Sequence, residues 1–153
     1  MEKKSKIVLG VIVILIIISA AFLLYSENKH VQLGKAQFDL PSGFSANKID
    51  DNHINISNND VSLRISEYKN KNITIKDAVN HYIKTKENES SKCNITKFNV
   101  NDTEVYKTTI INNTNILHFW FEKNGTVYEI ATYDGNSNTD SRVTEIINSM
   151  KLN

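Results

Sequence analysis

Five oxygen-bearing side chains, from Asp134 to Glu145, are regularly spaced around the start of the last predicted helix. Counted from the first Asp they occupy positions 1, 3, 5, 7 and 12, the spacing by which an EF-hand loop coordinates Ca²⁺. Two features oppose calcium: Thr139 stands where the sharp turn requires Gly, and a strand rather than a helix precedes the loop. A polar turn with first-turn acids is therefore the favoured interpretation. The candidate metal ligands are Asp134, Asn136, Asn138, Asp140 and Glu145.

A second candidate site lies on a predicted β-hairpin over 116–123 and 126–133. Asn124-Gly125 between the two runs is typical of a type I′ turn and fixes the register, pairing Phe121 with Tyr128. One face then carries a predicted core of Leu117, Phe119, Phe121, Tyr128 and Ile130. The opposite face carries the candidate binding residues His118, Trp120, Glu129 and Tyr133.

This opposite face has two interpretations. If it is uncovered, it is a binding patch with an aromatic anchor. If a helix packs on it, it is a second core. We favour the second core, because the first predicted helix must bury its apolar stripe somewhere.

No other pattern indicates catalysis or a cofactor. The four histidines (His30, His53, His81 and His118) lie far apart, and none stands at a metal-ligand spacing from a Cys or a carboxylate. The sequence also contains no P-loop, G-x-G-x-x-G, G-x-S-x-G or H-E-x-x-H motif. We therefore expect a protein without a cofactor that is not an enzyme.

Charge and cysteine content narrow the function classes further. Eighteen Lys and Arg oppose 17 Asp and Glu, a net charge of +1, with no basic stripe of the kind that binds nucleic acid. Cys93 is the single cysteine, so an intrachain disulfide is impossible and stability must come from packing.

The elements that position these residues follow an apolar segment over 7–25. As a helix it would span roughly 28 Å, close to the hydrocarbon core of a bilayer. The preceding Lys3, Lys4 and Lys6 favour a cytoplasmic N-terminus. We predict a cytoplasmic tail (1–6), a single membrane-spanning anchor (7–25), a linker (26–33) and an extracytoplasmic domain (34–153). Cleavage as a signal peptide after Ser19-Ala20-Ala21 is the alternative.

An extracytoplasmic domain could be glycosylated at its N-x-[ST] sequons. Asn-rich sequences produce such motifs by chance, so they permit modification without proving it. Asn124 is the least favourable position, because it lies in the tight turn. The candidate sites are Asn55, Asn72, Asn88, Asn94, Asn101 and Asn112.

The rest of the chain predicts an α+β domain. Alternating apolar residues predict strands over 34–40, 44–49, 53–57, 61–66, 93–100 and 103–111. Thr74 and Asp77 fit a capping box that starts a helix over 75–87, and Ser137 and Asp140 fit a second one. Lys151 suits the C-terminal end of the last helix. We expect a mainly antiparallel sheet with the two amphipathic helices on opposite faces.

This layout resembles the PsbP-like fold. The resemblance rests on Phe38 to Phe44 (FDLPSGF), the helix over 75–87, the hairpin from Phe119 to Ile130 and the closing residues 146–151. It implies a sandwich of helices around an antiparallel sheet, of the kind found in small membrane-anchored proteins of methanogenic archaea. Better-known members are accessory or binding proteins, one supporting photosystem II and one binding the GTPase Ran, but no residue here matches their binding sites.

We therefore expect a non-catalytic accessory or interaction module, with a protein partner at the outer face of the membrane. The alternatives are a domain that binds a small ligand or an ion such as Ca²⁺, and a secreted protein after signal-peptide cleavage. A pocket beside Trp120 and Tyr133 would keep the small-ligand alternative open.

Overall fold

The computed structural model describes residues 30–68, 72–111 and 113–152. The predicted tail (1–6), the predicted anchor (7–25) and residues 26–29 of the predicted linker lie outside the described residues. Neither helix in the described part of the chain combines the length and the apolar character needed to cross a membrane.

Strands dominate the described residues. The two helices are α1 (Ile75–Asn88) and α2 (Thr139–Ser149). The strands are β1 (His30–Leu33), β2 (Ala36–Asp39), β3 (Ser45–Lys48), β4 (His53–Ser57), β5 (Ser62–Tyr68), β6 (Cys93–Val100), β7 (Thr103–Ile110), β8 (Asn113–Lys123), β9 (Thr126–Thr132) and β10 (Lys151–Leu152).

These strands form two antiparallel sheets. The large sheet has seven strands in the order β3-β4-β5-β9-β8-β7-β6, and the small sheet has three in the order β1-β2-β10. The prediction of a mainly antiparallel α+β domain with two helices is confirmed.

The hairpin of β8 and β9 lies near the middle of the large sheet, in the predicted register. Lys123 pairs with Thr126 and Phe121 with Tyr128. Asn124 has φ 49° and Gly125 has φ 75°, the positive values that a type I′ turn requires. Because side chains alternate along a strand, this hairpin sends one set of residues to each face of the sheet.

One face is closed by α2 together with the small sheet. Its buried residues include Phe119 and Ile130 from the large sheet, Phe38 from β2, and Val143 and Ile146 from α2. The prediction that the last helix is amphipathic is therefore confirmed, and its apolar side belongs to the main core.

Helix α1 packs on the opposite face, as predicted. Its start is the predicted capping box: the Thr74 hydroxyl accepts from the Asp77 N–H at 3.2 Å, and the Thr74 N–H donates to the Asp77 carboxylate at 3.1 Å. Ala78 and Val79 of α1 are buried against Trp120. The two helices thus lie on opposite faces of the large sheet.

The N-terminal boundary of the domain differs from the prediction. The strand predicted over 34–40 is β2, and an unpredicted strand, β1, precedes it, with Leu33 paired to Ala36 across a turn at Gly34 and Lys35. Strand β1 consequently occupies residues that we assigned to the linker. The physical reason is that the alternation of buried and exposed positions shifts by one residue at this turn. The buried residues Val31 and Leu33 are odd-numbered, whereas those of β2 are even-numbered.

The ends of α2 also differ from the prediction. Its N-cap is Asn138, which has helical backbone angles and makes no capping side-chain hydrogen bond, so the predicted Ser137 box does not form. At the C-terminal end, Lys123 donates to the carbonyls of Ile147 at 3.0 Å and Met150 at 3.1 Å. Lys151, expected to serve that end, belongs to β10 instead.

Candidate functional site

The most connected polar group on the α1 face is a histidine–glutamate pair. His118 on β8 and Glu129 on β9 approach within 2.5 Å, Nδ1 to Oε1, and their side chains are only 6% and 12% exposed. The other carboxylate oxygen accepts from the Tyr68 hydroxyl at 3.1 Å. A carboxylate oxygen only accepts, so the imidazole presents its N–H at Nδ1. Both oxygens of this nearly buried carboxylate are therefore paired.

Aromatic rings enclose the His118 imidazole. The ring centroid of Tyr82 lies 4.3 Å away, Trp120 stacks at 6.1 Å, and Tyr133 meets the imidazole edge-on at 6.1 Å. His118 Nε2 is buried and has no hydrogen-bond partner in the described part of the chain, and the Tyr82 hydroxyl shares this condition. The imidazole therefore has a carboxylate at one nitrogen and aromatic rings around it.

Tyr68 and Tyr82 of this cluster resist ionisation. Burial raises the pKa of Tyr68, and the negative charge of Glu129 raises it further. Burial likewise raises the pKa of Tyr82. Both hydroxyls therefore keep their protons throughout the physiological pH range, so Tyr68 remains a hydrogen-bond donor to Glu129.

The four predicted patch residues differ in how far they are exposed. Trp120 is 2% exposed beneath α1, and its indole N–H points to the Thr108 hydroxyl at 3.4 Å. The favoured interpretation, a second core under the first helix, is thus confirmed for Trp120. Tyr133 is 67% exposed and belongs to the surface. His118 and Glu129 lie at the boundary between these two regions.

A groove of about 430 Å³ opens at that boundary, and we call it the Arg64 groove. The strand register places Arg64 and His118 on either side of Ala131, whose small side chain leaves room between them. Arg64 is exposed and forms no ion pair with a described residue. The residues that line the groove are His53, Arg64, Ser66, Glu67, Tyr68, His118, Glu129, Ala131 and Tyr133.

Sequence reasoning missed the β4 and β5 side of this groove. The alternation in β5 indicates that Arg64 and Ser66 face away from the main core, yet it does not say which strand lies beside them. That neighbour is β9, more than sixty residues further along the chain, with Arg64 opposite Ala131 and Ser66 opposite Glu129. A pocket does adjoin Tyr133, so the small-ligand alternative remains open.

The predicted metal loop uses most of its oxygen atoms elsewhere. The Asp140 carboxylate forms an ion pair with the Lys107 ammonium at 2.7 Å, and the Glu145 carboxylate forms one with Arg142 at 3.0 Å. The Asp134 carboxylate accepts from the Thr132 hydroxyl at 2.6 Å. Over residues 30–68, 72–111 and 113–152, no three His, Cys, Asp or Glu side chains are grouped to hold a metal. Calcium binding stays a prediction, and these contacts favour the alternative of a polar turn.

The sequons occupy varied positions, and their glycosylation stays a prediction. Asn55 is half-buried on β4, whereas Asn72, Asn88 and Asn94 are exposed. Asn101 is exposed but donates to Asn148 at 2.8 Å, a contact that a glycan on its amide would disturb. Asn112 lies outside the described residues.

Comparisons with known proteins identify the fold and nothing finer. No protein-family model matches the chain, and no curated protein matches it. Solved structures that resemble this chain include the following two. One is the cyanobacterial PsbP protein CyanoP from Synechocystis sp. PCC 6803, with 12% identity and a TM-score of 0.48 over 78% of this chain and 88% of that one.

The other structure is a protein from Bacteroides thetaiotaomicron, with 15% identity and a TM-score of 0.52 over 80% of this chain. The match covers 47% of that protein, so this chain spans about half its length. Both likenesses concern the fold alone and assign no activity, ligand or partner. A PsbP protein is thus among the solved structures to which this chain is similar.

Proposed function

We propose that this chain is a non-catalytic interaction domain, tethered to the membrane by residues 7–25 and working outside the cytoplasm. The Arg64 groove is its contact surface for a protein partner. The observation that carries this proposal is an arginine, without an ion pair to any described residue, next to a largely exposed aromatic ring, both bordering one depression of the sheet.

The chemistry of the groove suits a partner segment that carries a carboxylate. A guanidinium group binds a carboxylate through two parallel hydrogen bonds. Tyr133 adds a rigid aromatic surface of the kind enriched at interface hot spots. Tyrosine and arginine together suit a protein surface as the partner. Nucleic acid is disfavoured because the domain has no basic stripe.

The surroundings of His118 support a non-catalytic role. A general base must come within about 3 Å of the proton that it removes. His118 Nε2 is buried, and the imidazole is packed against the Tyr82 ring. The pair with Glu129 resembles a catalytic dyad in its atoms, but this enclosure suits a structural role that fixes the edge of the groove.

Membrane tethering rests on the sequence. A segment over 7–25 without charged residues, preceded by three lysines, satisfies the length and orientation rules for a single span. A partner would then be another protein at the outer face of the membrane. Resistance of the chain to extraction from native membranes by alkaline carbonate would support the tether, and release by carbonate would contradict it.

The groove is tested by placing a photoreactive amino acid at position 133 of the full chain in native membranes. We expect one reproducible cross-linked partner, and we expect Arg64→Glu to abolish the cross-link by repelling a carboxylate. A photoreactive residue at Ile49, which is 46% exposed and does not line the groove, is the matched control. Equal labelling from both positions, or labelling that survives Arg64→Glu, would contradict the assignment of the groove.

A further inference from the structure

A larger cleft lies where several turns meet, and we call it the Glu67 cleft. The β1–β2 turn contributes Gly34, the segment between β3 and β4 contributes Asn52, and the β8–β9 turn contributes Gly125. The volume is about 800 Å³, within the range of roughly 300–1,000 Å³ that is usual for small-molecule sites. Glu67 and Tyr68, the last two residues of β5, border both this cleft and the Arg64 groove.

The chain makes room for the Glu67 carboxylate with a glycine. A Cβ atom at Gly34 would lie 1.7 Å from Glu67 Oε2, so no other residue could stand there without moving the carboxylate. Gly34 also has φ +57°, in the left-handed region that side chains disfavour. The turn therefore depends on glycine for its backbone and for the space that Glu67 fills.

Two acceptor atoms of this cleft receive no hydrogen bond from the described residues. Glu67 Oε2 and Asn52 Oδ1 are both buried, and neither has a hydrogen-bond partner in the described part of the chain. The two residues are neighbours, since the Glu67 N–H donates to the Asn52 carbonyl at 2.9 Å. A buried acceptor without a donor destabilises the folded state, and more so when it is charged. A ligand that supplies donors would remove this penalty.

The charges in the cleft indicate which donor would bind. Lys48 is paired with Asp51 at 2.9 Å. Lys35 is exposed and forms no ion pair with a described residue. Glu67 is thus a carboxylate without a cationic partner in the described part of the chain, beside a second acceptor. Calcium requires six or more oxygen ligands, and no cluster of three His, Cys, Asp or Glu side chains occurs among the described residues. An ammonium group requires three acceptors at most.

We propose that the Glu67 cleft binds an organic molecule that carries a primary ammonium group, with Glu67 as its counter-ion and Asn52 as a second acceptor. The exposed Lys35 lines the same cleft, and its positive charge weakens the binding of the ammonium group without abolishing it. This proposal goes beyond the partner-binding role of the Arg64 groove and does not depend on it.

The test is an NMR titration of the full chain in a neutral detergent with n-butylammonium chloride. The amide signals of Gly34 and Gly125 report on the cleft, and those of Gly43 and Gly135 report on the rest of the fold. We expect a saturable shift of the first pair, with the millimolar affinity usual for so few heavy atoms. Butanol and sodium butyrate have a similar stem without the positive charge and should give no such shift.

Variants decide whether Glu67 is the counter-ion. Glu67→Gln keeps the shape and removes the charge, and it should abolish the saturable shift while the Gly43 and Gly135 signals stay in place. Glu122→Gln, which neutralises an exposed carboxylate on β8, is the matched control and should bind as the unmodified chain does. Lys35→Gln should tighten binding severalfold by removing the repelling charge.

The proposal is overturned by any of three results. These are the absence of a saturable shift with butylammonium, an equal shift with butanol, and full binding by Glu67→Gln. None of them affects the cross-link from position 133, so failure here and failure of the Arg64 groove can be told apart.

Discussion

The two faces of the large sheet are built by the same strands, yet they differ in how they are covered. On one face, α2 and the small sheet enclose a continuous apolar core in which Phe119, Phe121 and Ile130 are fully buried. On the other face, α1 packs against β6, β7 and β8. The strand order leaves β4, most of β5 and the end of β9 beyond the helix, where the Arg64 groove opens.

This difference separates core from surface within a single hairpin. The apolar residues of β8 and β9 that point to the α2 face, such as Phe119 and Ile130, belong to the main core. Residues that point to the α1 face pass from a buried indole at Trp120, through the paired His118 and Glu129, to the exposed ring of Tyr133. At the boundary between core and surface, the pairing of His118 with Glu129 satisfies a carboxylate that would otherwise be nearly buried without a partner.

The closed face should show the largest effect of a single substitution. Phe119→Ala removes a fully buried ring from the main core, and we expect the free energy of unfolding to fall by about 3–5 kcal/mol. Urea denaturation of the full chain in detergent measures this value. A cost below about 1 kcal/mol, typical of surface positions, would mean that the α2 face is not the closed core described above.

The boundary between core and groove should show an intermediate effect. Glu129→Leu leaves the His118 N–H and the Tyr68 hydroxyl without their acceptor, which should cost about 1–3 kcal/mol. Replacing His118 by Leu as well removes one of the two donors that lack an acceptor. The double variant should therefore lose less stability than the sum of the losses in the two single variants. Additive costs would show that the two side chains are not coupled, and the boundary would then be ordinary core.

The helices that cover the two faces should respond differently to the loss of their N-cap residues. Thr74→Ala removes the capping hydrogen bond of α1, so we expect a loss of about 1 kcal/mol and a red shift of Trp120 fluorescence as the helix loosens. Asn138→Ala is the matched control, because the Asn138 side chain makes no capping bond in α2. Its cost should stay below about 0.5 kcal/mol. Equal costs would show that α1 is not held by its capping box.

Local chemistry explains how much of this fold could be predicted. The hairpin follows from Asn124-Gly125, since a two-residue turn with positive φ leaves one register, and the start of α1 follows from Thr74 and Asp77. The N-terminal end of α2 could not be predicted, because hydrogen bonds of Asn136 take the place of the predicted Ser137 capping box. Its backbone N–H donates to the Thr139 hydroxyl at 2.8 Å, and its side-chain oxygen accepts from the Asn138 N–H at 2.9 Å.

Long-range pairing explains what could not be predicted of the sites. The sequence identified His118, Glu129 and Tyr133, which share one hairpin. It did not identify Arg64 or Glu67, because their roles depend on partners from distant segments, such as Ala131 beside Arg64 and Gly34 beside Glu67. The turn at Gly34 was nevertheless foreseeable, since the buried positions change from odd to even numbers between Leu33 and Ala36.

The smallest expected change in stability is at the exposed end of the α1 face. Tyr133→Ala should alter the free energy of unfolding by less than about 0.5 kcal/mol, because two thirds of the residue is exposed and its contact with His118 is edge-on at 6.1 Å. Urea denaturation beside Tyr133→Phe, which removes the hydroxyl but keeps the ring, shows whether any cost comes from the ring. A ring-dependent cost above about 1 kcal/mol would place Tyr133 in the second core with Trp120, and the Arg64 groove would then lose the aromatic contact on which its proposed role depends.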